Sequence, residues 1–187
     1  MKYSKLIISL LLLAAFAVGA FLTVGWIQRS RYPRDYSEYV EKYSDEYSVP
    51  QSLVYAVIRT ESSFKKDAVS RAGAVGLMQI TPDTFSWLSR IMEIEEKPEL
   101  IDDPETNIKY GVYYLRYLYE RYGSYSWETA CAGYNAGHNR VSGWLEDSRY
   151  SSDGKTLKEI PIGETRGYIE KVFSAKEKYE SLYSDLS

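Results

Sequence analysis

The sequence holds a single cysteine, Cys131, and a single histidine, His138, among its 187 residues. One thiol excludes an intramolecular disulfide, and one thiol with one imidazole falls short of the usual zinc ligand sets. Cys131 lies in the small apolar run Ala130-Cys131-Ala132 with no base in an obvious relation to it, so it reads as a core residue and not as a nucleophile. No metal and no organic cofactor is expected. A surplus of basic charge is also missing, because 23 Lys and Arg stand against 26 Asp and Glu, for a formal net charge of -3. Phosphate backbones require a basic footprint, so nucleic acid is not an expected partner. No stretch alternates convincingly enough for a buried strand, and there is neither a fixed-period repeat nor a low-complexity linker.

What the chain does have is 44% hydrophobic and 26% charged residues, a balance that supports one packed domain with a polar surface. Nineteen tyrosines supply flat apolar faces with a hydroxyl at the rim, suited to helix packing and to stacking on sugar rings. One long apolar run is present: no charged residue occurs from Leu6 to Gln28, enough to span a bilayer as a helix. Lys2 and Lys5 precede it while Arg29, Arg31 and Arg34 follow, so flanking charge leaves the orientation open. Ala15-Phe16-Ala17 offers small residues to a signal peptidase, yet the run continues to Trp26 and no lipidation cysteine follows. Residues 1–28 therefore read as an uncleaved signal anchor, with a cleaved signal peptide as the alternative. Residues 29–187 form the domain.

Helical spacing dominates that domain. Tyr36, Val40, Tyr43 and Tyr47 share one helical face, and Val49-Pro50 opens a second helix with Leu53, Val54, Val57 and Ile58 as its apolar stripe through Thr60. Thr81-Pro82-Asp83 and Asp103-Pro104-Glu105 are cap-then-proline starts, the latter leading through Ile108, Val112, Leu115, Leu118 and Tyr122 to a stop at Gly123. Ser126 caps a short helix through Trp127 and Cys131, and a last helix from Gly163 or Glu164 aligns Tyr168, Val172, Ala175 and Tyr179. Glycine-rich loops are expected from Arg71 to Gly76 and from Gly133 to Gly143. The fold class is all-α or mainly α.

Glu61 lies four residues after Val57 and eight after Leu53, so it continues the apolar stripe and points inward at the helix end. Desolvation there would raise its pKa and keep it protonated, as a general acid must be, whereas a glutamate swung out to solvent would do neither. The context is informative. Glu61-Ser62-Ser63-Phe64, the loop from Ser70 through Gly76 to Leu77-Met78-Gln79-Ile80-Thr81-Pro82, the string Gly133-Tyr134-Asn135-Ala136-Gly137, and Ile160-Pro161-Ile162-Gly163-Glu164-Thr165-Arg166-Gly167-Tyr168 follow one another in order. Together they resemble the catalytic domain of soluble lytic transglycosylases, related to goose-type lysozyme, over about Tyr36 to Tyr179.

The resemblance implies a lysozyme-like single domain with a substrate cleft and Glu61 as its acid and base. It also implies that Ser70, Met78, Gln79, Tyr134, Asn135, Glu164 and Tyr168 bind substrate. Physical readings stand beside it: Ser70 can hydrogen-bond an N-acetyl or hydroxyl group, and Gln79 can both donate and accept. Met78 is equally a core methionine, Gln79 a helix cap, and Glu164 with Arg166 a structural helix start. The family pattern has alanine where Gly133 stands here. The implied substrate is the glycan strand of peptidoglycan, cleaved between N-acetylmuramic acid and N-acetylglucosamine to leave a 1,6-anhydro end outside a single-pass membrane anchor. Secretion after signal cleavage is the alternative location. A hydrolase on the same fold would use a further carboxylate, with Asp67, Asp102 and Asp103 as the candidates, and a wall-binding scaffold would have lost catalysis.

Overall fold

A computed structural model describes residues 2–95 and 97–186, with side chains from residue 10 onward; Lys2 and Lys5, invoked for orientation, fall outside the described side chains. The chain divides into two compact units, residues 1–33 and 34–187.

The first unit is the helix α1 (Lys2–Arg31). Its segment Leu10–Arg31 is long and apolar enough to cross a membrane by length and composition, and Phe16, Phe21 and Trp26 are exposed along it. Such a surface is unfavourable in water and favourable in hydrocarbon.

The second unit is built from helices, and among the described residues extended pairing is confined to the isolated bridges Val69–Val75 and Val75–Ile80. At its centre stands α3 (Gln51–Ser62), in which every residue from Ser52 to Ile58 is buried. A helix apolar on all sides must be covered on all sides. On one side lies α8 (Gly163–Leu182), joined through the stacked Tyr55 and Tyr179 rings, 5.3 Å apart, and through Ser52 Oγ donating to Glu180 at 3.0 Å. On another lies α2 (Ser37–Tyr47), followed by α5 (Pro104–Arg121), where Tyr43 Oη and Lys42 Nζ both donate to Glu105. Against α5, α4 (Pro82–Ile91) stacks Phe85 on Tyr110 at 4.3 Å.

The expected helix starts at Thr81, Asp103 and Ser126 are present, and each side chain accepts the backbone N–H three residues on. Two expected boundaries shift. Tyr36 is a left-handed N-cap with φ 62°, and Pro50 is the N-cap of α3 and not its first residue. The larger departure is the glycine-rich loop expected over 133–143. That stretch is α6 (Trp127–Ala136) and α7 (His138–Glu146), broken only at Gly137. Gly133 lies inside α6 because the Tyr122 ring occupies its surface: a Cβ there would lie 2.6 Å from Tyr122 Oη. That hydroxyl in turn donates to the His138 carbonyl at 3.1 Å. The absence of a side chain at Gly133 thus makes room for a tyrosine contact that joins the end of α5 to the start of α7. Gly133→Ala should lower stability by roughly 1–3 kcal/mol in chemical denaturation. Tyr122→Phe in the same chain should recover part of that loss, since the clashing oxygen is removed.

Candidate active site

Glu61 occupies the last turn of α3, one residue before its end at Ser62. The chain then turns sharply, with Ser63 at φ 52° and Phe64 at φ 65°, so α3 stops with the carboxyl still against the interior. Burial lifts the Glu61 pKa to about 7. The carboxylate-disfavouring C-terminal end of the helix acts in the same direction. Some of the side chain stays accessible, which a proton donor to an external substrate needs.

Two tyrosines face it. Tyr168 comes from the second turn of α8 and Tyr134 from the last turn of α6, and both hydroxyls are pushed far above their ordinary pKa, first by burial and next by the Glu61 charge. Tyr168 Oη is the group that favours the charged form of Glu61, yet no atom, Glu61 included, meets that buried hydroxyl with full hydrogen-bond geometry. It is free to tighten onto the carboxylate as charge develops. Tyr168→Phe should move the alkaline limb of a pH–rate profile upward, because the one contact that lowers the Glu61 pKa is lost; a downward shift would contradict this assignment.

The loop 69–80 supplies the next wall. Val75 and Ile80 exchange backbone hydrogen bonds at 2.9 and 3.0 Å, and Gly76 N donates to Ala68 O. Asn107, buried on α5, fastens this loop from beneath. Its Oδ1 accepts from Met78 N at 2.7 Å, while Nδ2 donates to Val75 O at 3.0 Å and Ile101 O at 2.6 Å. Gly76, at φ 83°, lies directly over the Asn107 amide, and any Cβ there would collide with it. The Met78 carbonyl then accepts from Tyr134 Oη at 2.7 Å, so Asn107, Met78 and Tyr134 form one connected series. Beside Tyr134 opens a recess of about 260 Å³, bounded by Gln79, Thr81, Thr84, Tyr114, Asn135 and Gly137 among others.

The residues singled out from sequence thus fall into groups. Glu61, Tyr134 and Tyr168 come together, with Gln79 and exposed Asn135 at the adjoining recess. Gln79 also holds its own loop, its Nε2 donating to Ala68 O at 3.1 Å and Gly76 O at 2.9 Å. The Met78 side chain is completely buried, against Gly111, which is the core alternative; its carbonyl alone takes part, through Tyr134. Ser70 Oγ accepts from Ala74 N at 3.0 Å within the loop. Glu164 is exposed in the first turn of α8 and is not paired with Arg166, which donates to Ile160 O. Of the carboxylates considered for water activation, Asp103 is engaged as the α5 cap, and Asp67 and Asp102 are exposed. Cys131 is buried, with its thiol pKa pushed up by burial. Sequence reasoning missed Asn107, Thr81, Thr84 and Tyr114. Asn107, Gly111 and Tyr114 share a helical face, so a polar residue on the inner stripe of α5 was the available signal.

Residues 38–157 match the family model described as the transglycosylase SLT domain. The chain belongs to that family. It is 36% identical over 158 residues to the soluble lytic murein transglycosylase of Escherichia coli strain K12, covering 83% of this chain and 24% of that protein. The membrane-bound lytic murein transglycosylase C of Pectobacterium atrosepticum is 31% identical over 167 residues, covering 77% of this chain and 46% of that one. Among solved structures, an inactive glutamate-to-glutamine mutant of the lytic transglycosylase Slt of Pseudomonas aeruginosa superimposes with a TM-score of 0.74 at 29% identity, covering 85% of this chain and 26% of that one. This SLT-domain chain spans about a quarter of the length of the soluble relatives it matches.

Proposed function

We propose that the chain is a peptidoglycan lytic transglycosylase that cleaves the bond between N-acetylmuramic acid and N-acetylglucosamine through Glu61. The observation that carries this reading is a carboxyl group lifted to about 7 at the end of the central helix and facing two tyrosines, one of which, Tyr134, lines an open recess. The carboxyl is protonated near neutral pH and donates its proton to the glycosidic oxygen as the bond to C1 breaks. The substrate's own N-acetyl oxygen shares the positive charge that develops at C1. The Glu61 carboxylate then takes the proton of the C6 hydroxyl, O6 bonds to C1, and a 1,6-anhydro end results without consumption of water. The second step is intramolecular, so the walls that hold the sugar contribute through orientation. Tyr134, Asn135 and Gln79 line the recess, which supports that role for them. The inactivity of the glutamine mutant in the Pseudomonas aeruginosa relative supports a glutamate in this part.

The anchor is part of the same proposal. Residues 1–28 hold the protein in the membrane and residues 29–187 act on the extracytoplasmic side, where peptidoglycan lies; the membrane-bound relatives support this arrangement. The test is mass spectrometry of muropeptides released from purified peptidoglycan by the detergent-solubilised chain. Anhydro ends are expected. Reducing ends would replace this mechanism by hydrolysis, and no release would remove the enzymatic reading.

A further inference from the structure

A second groove lies away from Glu61. It has a volume of about 640 Å³ and lies between the end of α2, the start of α3, α5 and the start of α6, sharing no lining residue with the recess at Tyr134. Its size is within the roughly 300–1,000 Å³ of small-molecule sites.

Three features describe what it would take. Tyr119 and Trp127 stack face to face at 4.0 Å and 9°, and the Arg116 guanidinium lies over the Tyr119 ring at 5.9 Å, so one wall is a rigid aromatic platform. Around it stand Asp45, Gln51 and Arg116, planar groups that can each engage neighbouring hydroxyls in pairs. Arg116 is already paired with Glu120 at 2.7 Å, which leaves no surplus positive charge to attract an anion. The third feature is Ser44. This residue borders the groove, is only 3% exposed, and its Oγ has no hydrogen-bond partner. The other buried helical serines have partners: Ser62 donates to Ile58 O, Ser89 to Phe85 O and Ser52 to Glu180. Ser44 does not, so its hydroxyl keeps a hydrogen-bonding capacity that a ligand in the groove can engage.

An aromatic platform flanked by hydrogen-bonding groups, with Asp45 and Asp185 against the single cation Arg116, excludes an anion and fits an uncharged sugar ring, apolar on its face and hydroxylated at its rim. We propose that this groove is a second saccharide site that takes an N-acetylhexosamine unit of a glycan strand. That the sugar belongs to the wall polymer rests on the proposed function; the affinity of the groove for the sugar does not. A second contact to the same strand would keep the enzyme on its polymer between cleavage events, since rebinding becomes intramolecular.

The test uses the full chain in detergent micelles and a photoreactive diazirine derivative of tri-N-acetylchitotriose, with labelled positions mapped by mass spectrometry. Labelling is expected at residues 44–51 and 116–127, separate from any at 79–84 and 134–137. Ser44→Ala, Asp45→Asn and Trp127→Ala should each lower the groove label, by roughly fivefold for a single lost hydrogen bond, without lowering the cleft label. Ser44→Ala is the decisive variant because its hydroxyl has no protein partner to lose: its melting temperature should be unchanged or higher while its label falls. Label confined to the cleft, no label at all, or a groove label indifferent to all three substitutions overturns the proposal. Groove labelling in a chain that releases no muropeptides would retain this site and remove the proposed function. Muropeptide release without groove labelling would do the reverse.

Discussion

Glu61→Gln is expected to lower the release of anhydro-muropeptides by about a thousandfold, since general acid–base catalysis by one group contributes roughly 10²–10⁴-fold. The amide preserves shape and hydrogen-bonding capacity but has no proton to deliver to the leaving oxygen and no basic lone pair to receive one from the C6 hydroxyl. Both steps fail together. Substrate affinity, measured on sacculi by co-sedimentation, should change little, which separates this effect from unfolding. In the parent, kcat/KM should decline as pH rises through about 7, where the free carboxyl loses its proton. A variant that retains more than a tenth of the parent rate would remove Glu61 from the mechanism.

The same substitution has a signed effect on stability. The folded pKa of about 7 lies above the ordinary glutamate value of 4.5, so between those values the native state binds more protons than the unfolded state. Stability from this group is therefore fully present below pH 4.5 and is lost as pH rises through about 7. Partial exposure allows water to screen the charge, so the loss is roughly 1–3 kcal/mol. Glu61→Gln has nothing to ionise. At pH 8 it should be more stable than the parent by that amount, and the gap should close as pH falls toward 4.5. Denaturation curves at the two pH values check it, and a variant less stable at pH 8 would mean that the carboxylate is better accommodated than its burial implies.

The second large effect is expected at Asn107. Its side chain makes three hydrogen bonds to Met78 N, Val75 O and Ile101 O, and truncation to alanine leaves their polar atoms unpaired beneath the loop. Each buried orphan costs roughly 1–3 kcal/mol, with some recovered by water, so a total of roughly 3–5 kcal/mol is expected. For a domain of this size that is a fall in Tm of roughly 10 °C. Asn107→Asp should not rescue it. The carboxylate can still accept from Met78 N, but it sets a negative oxygen against the carbonyls of Val75 and Ile101. Activity should fall in both variants by more than the folded fraction, because Met78 O positions the Tyr134 hydroxyl and the next residue is Gln79. A loss of stability with kcat per folded molecule unchanged would make Asn107 a structural clamp only.

Much of this was readable without coordinates because the helices of the domain are amphipathic and capped. Apolar spacing identified α2, α3, α5 and α8, and three cap residues with their following positions located the starts of α4, α5 and α6. Each is a local signal, carried within one turn of chain. The failures occurred where a residue's role depended on a distant partner. Gly133 reads as a loop residue until Tyr122, eleven positions earlier, is seen against it. Met78 had two equal readings until Gly111 was found beneath it, and Asn107 looked like one more polar residue on a helix.

The sequence by itself determined the helical class, the apolar N-terminal run, and the motif order on which the family resemblance rests. Those properties are sums over composition or over neighbours along the chain. Tertiary structure decided how Glu61 is desolvated, which tyrosines surround it, that Asn107 fastens the loop beneath Gly76, and that a second groove exists with an unpartnered serine at its border. Burial and hydrogen-bond partnership are properties of what lies across the fold, and no spacing along one helix specifies them.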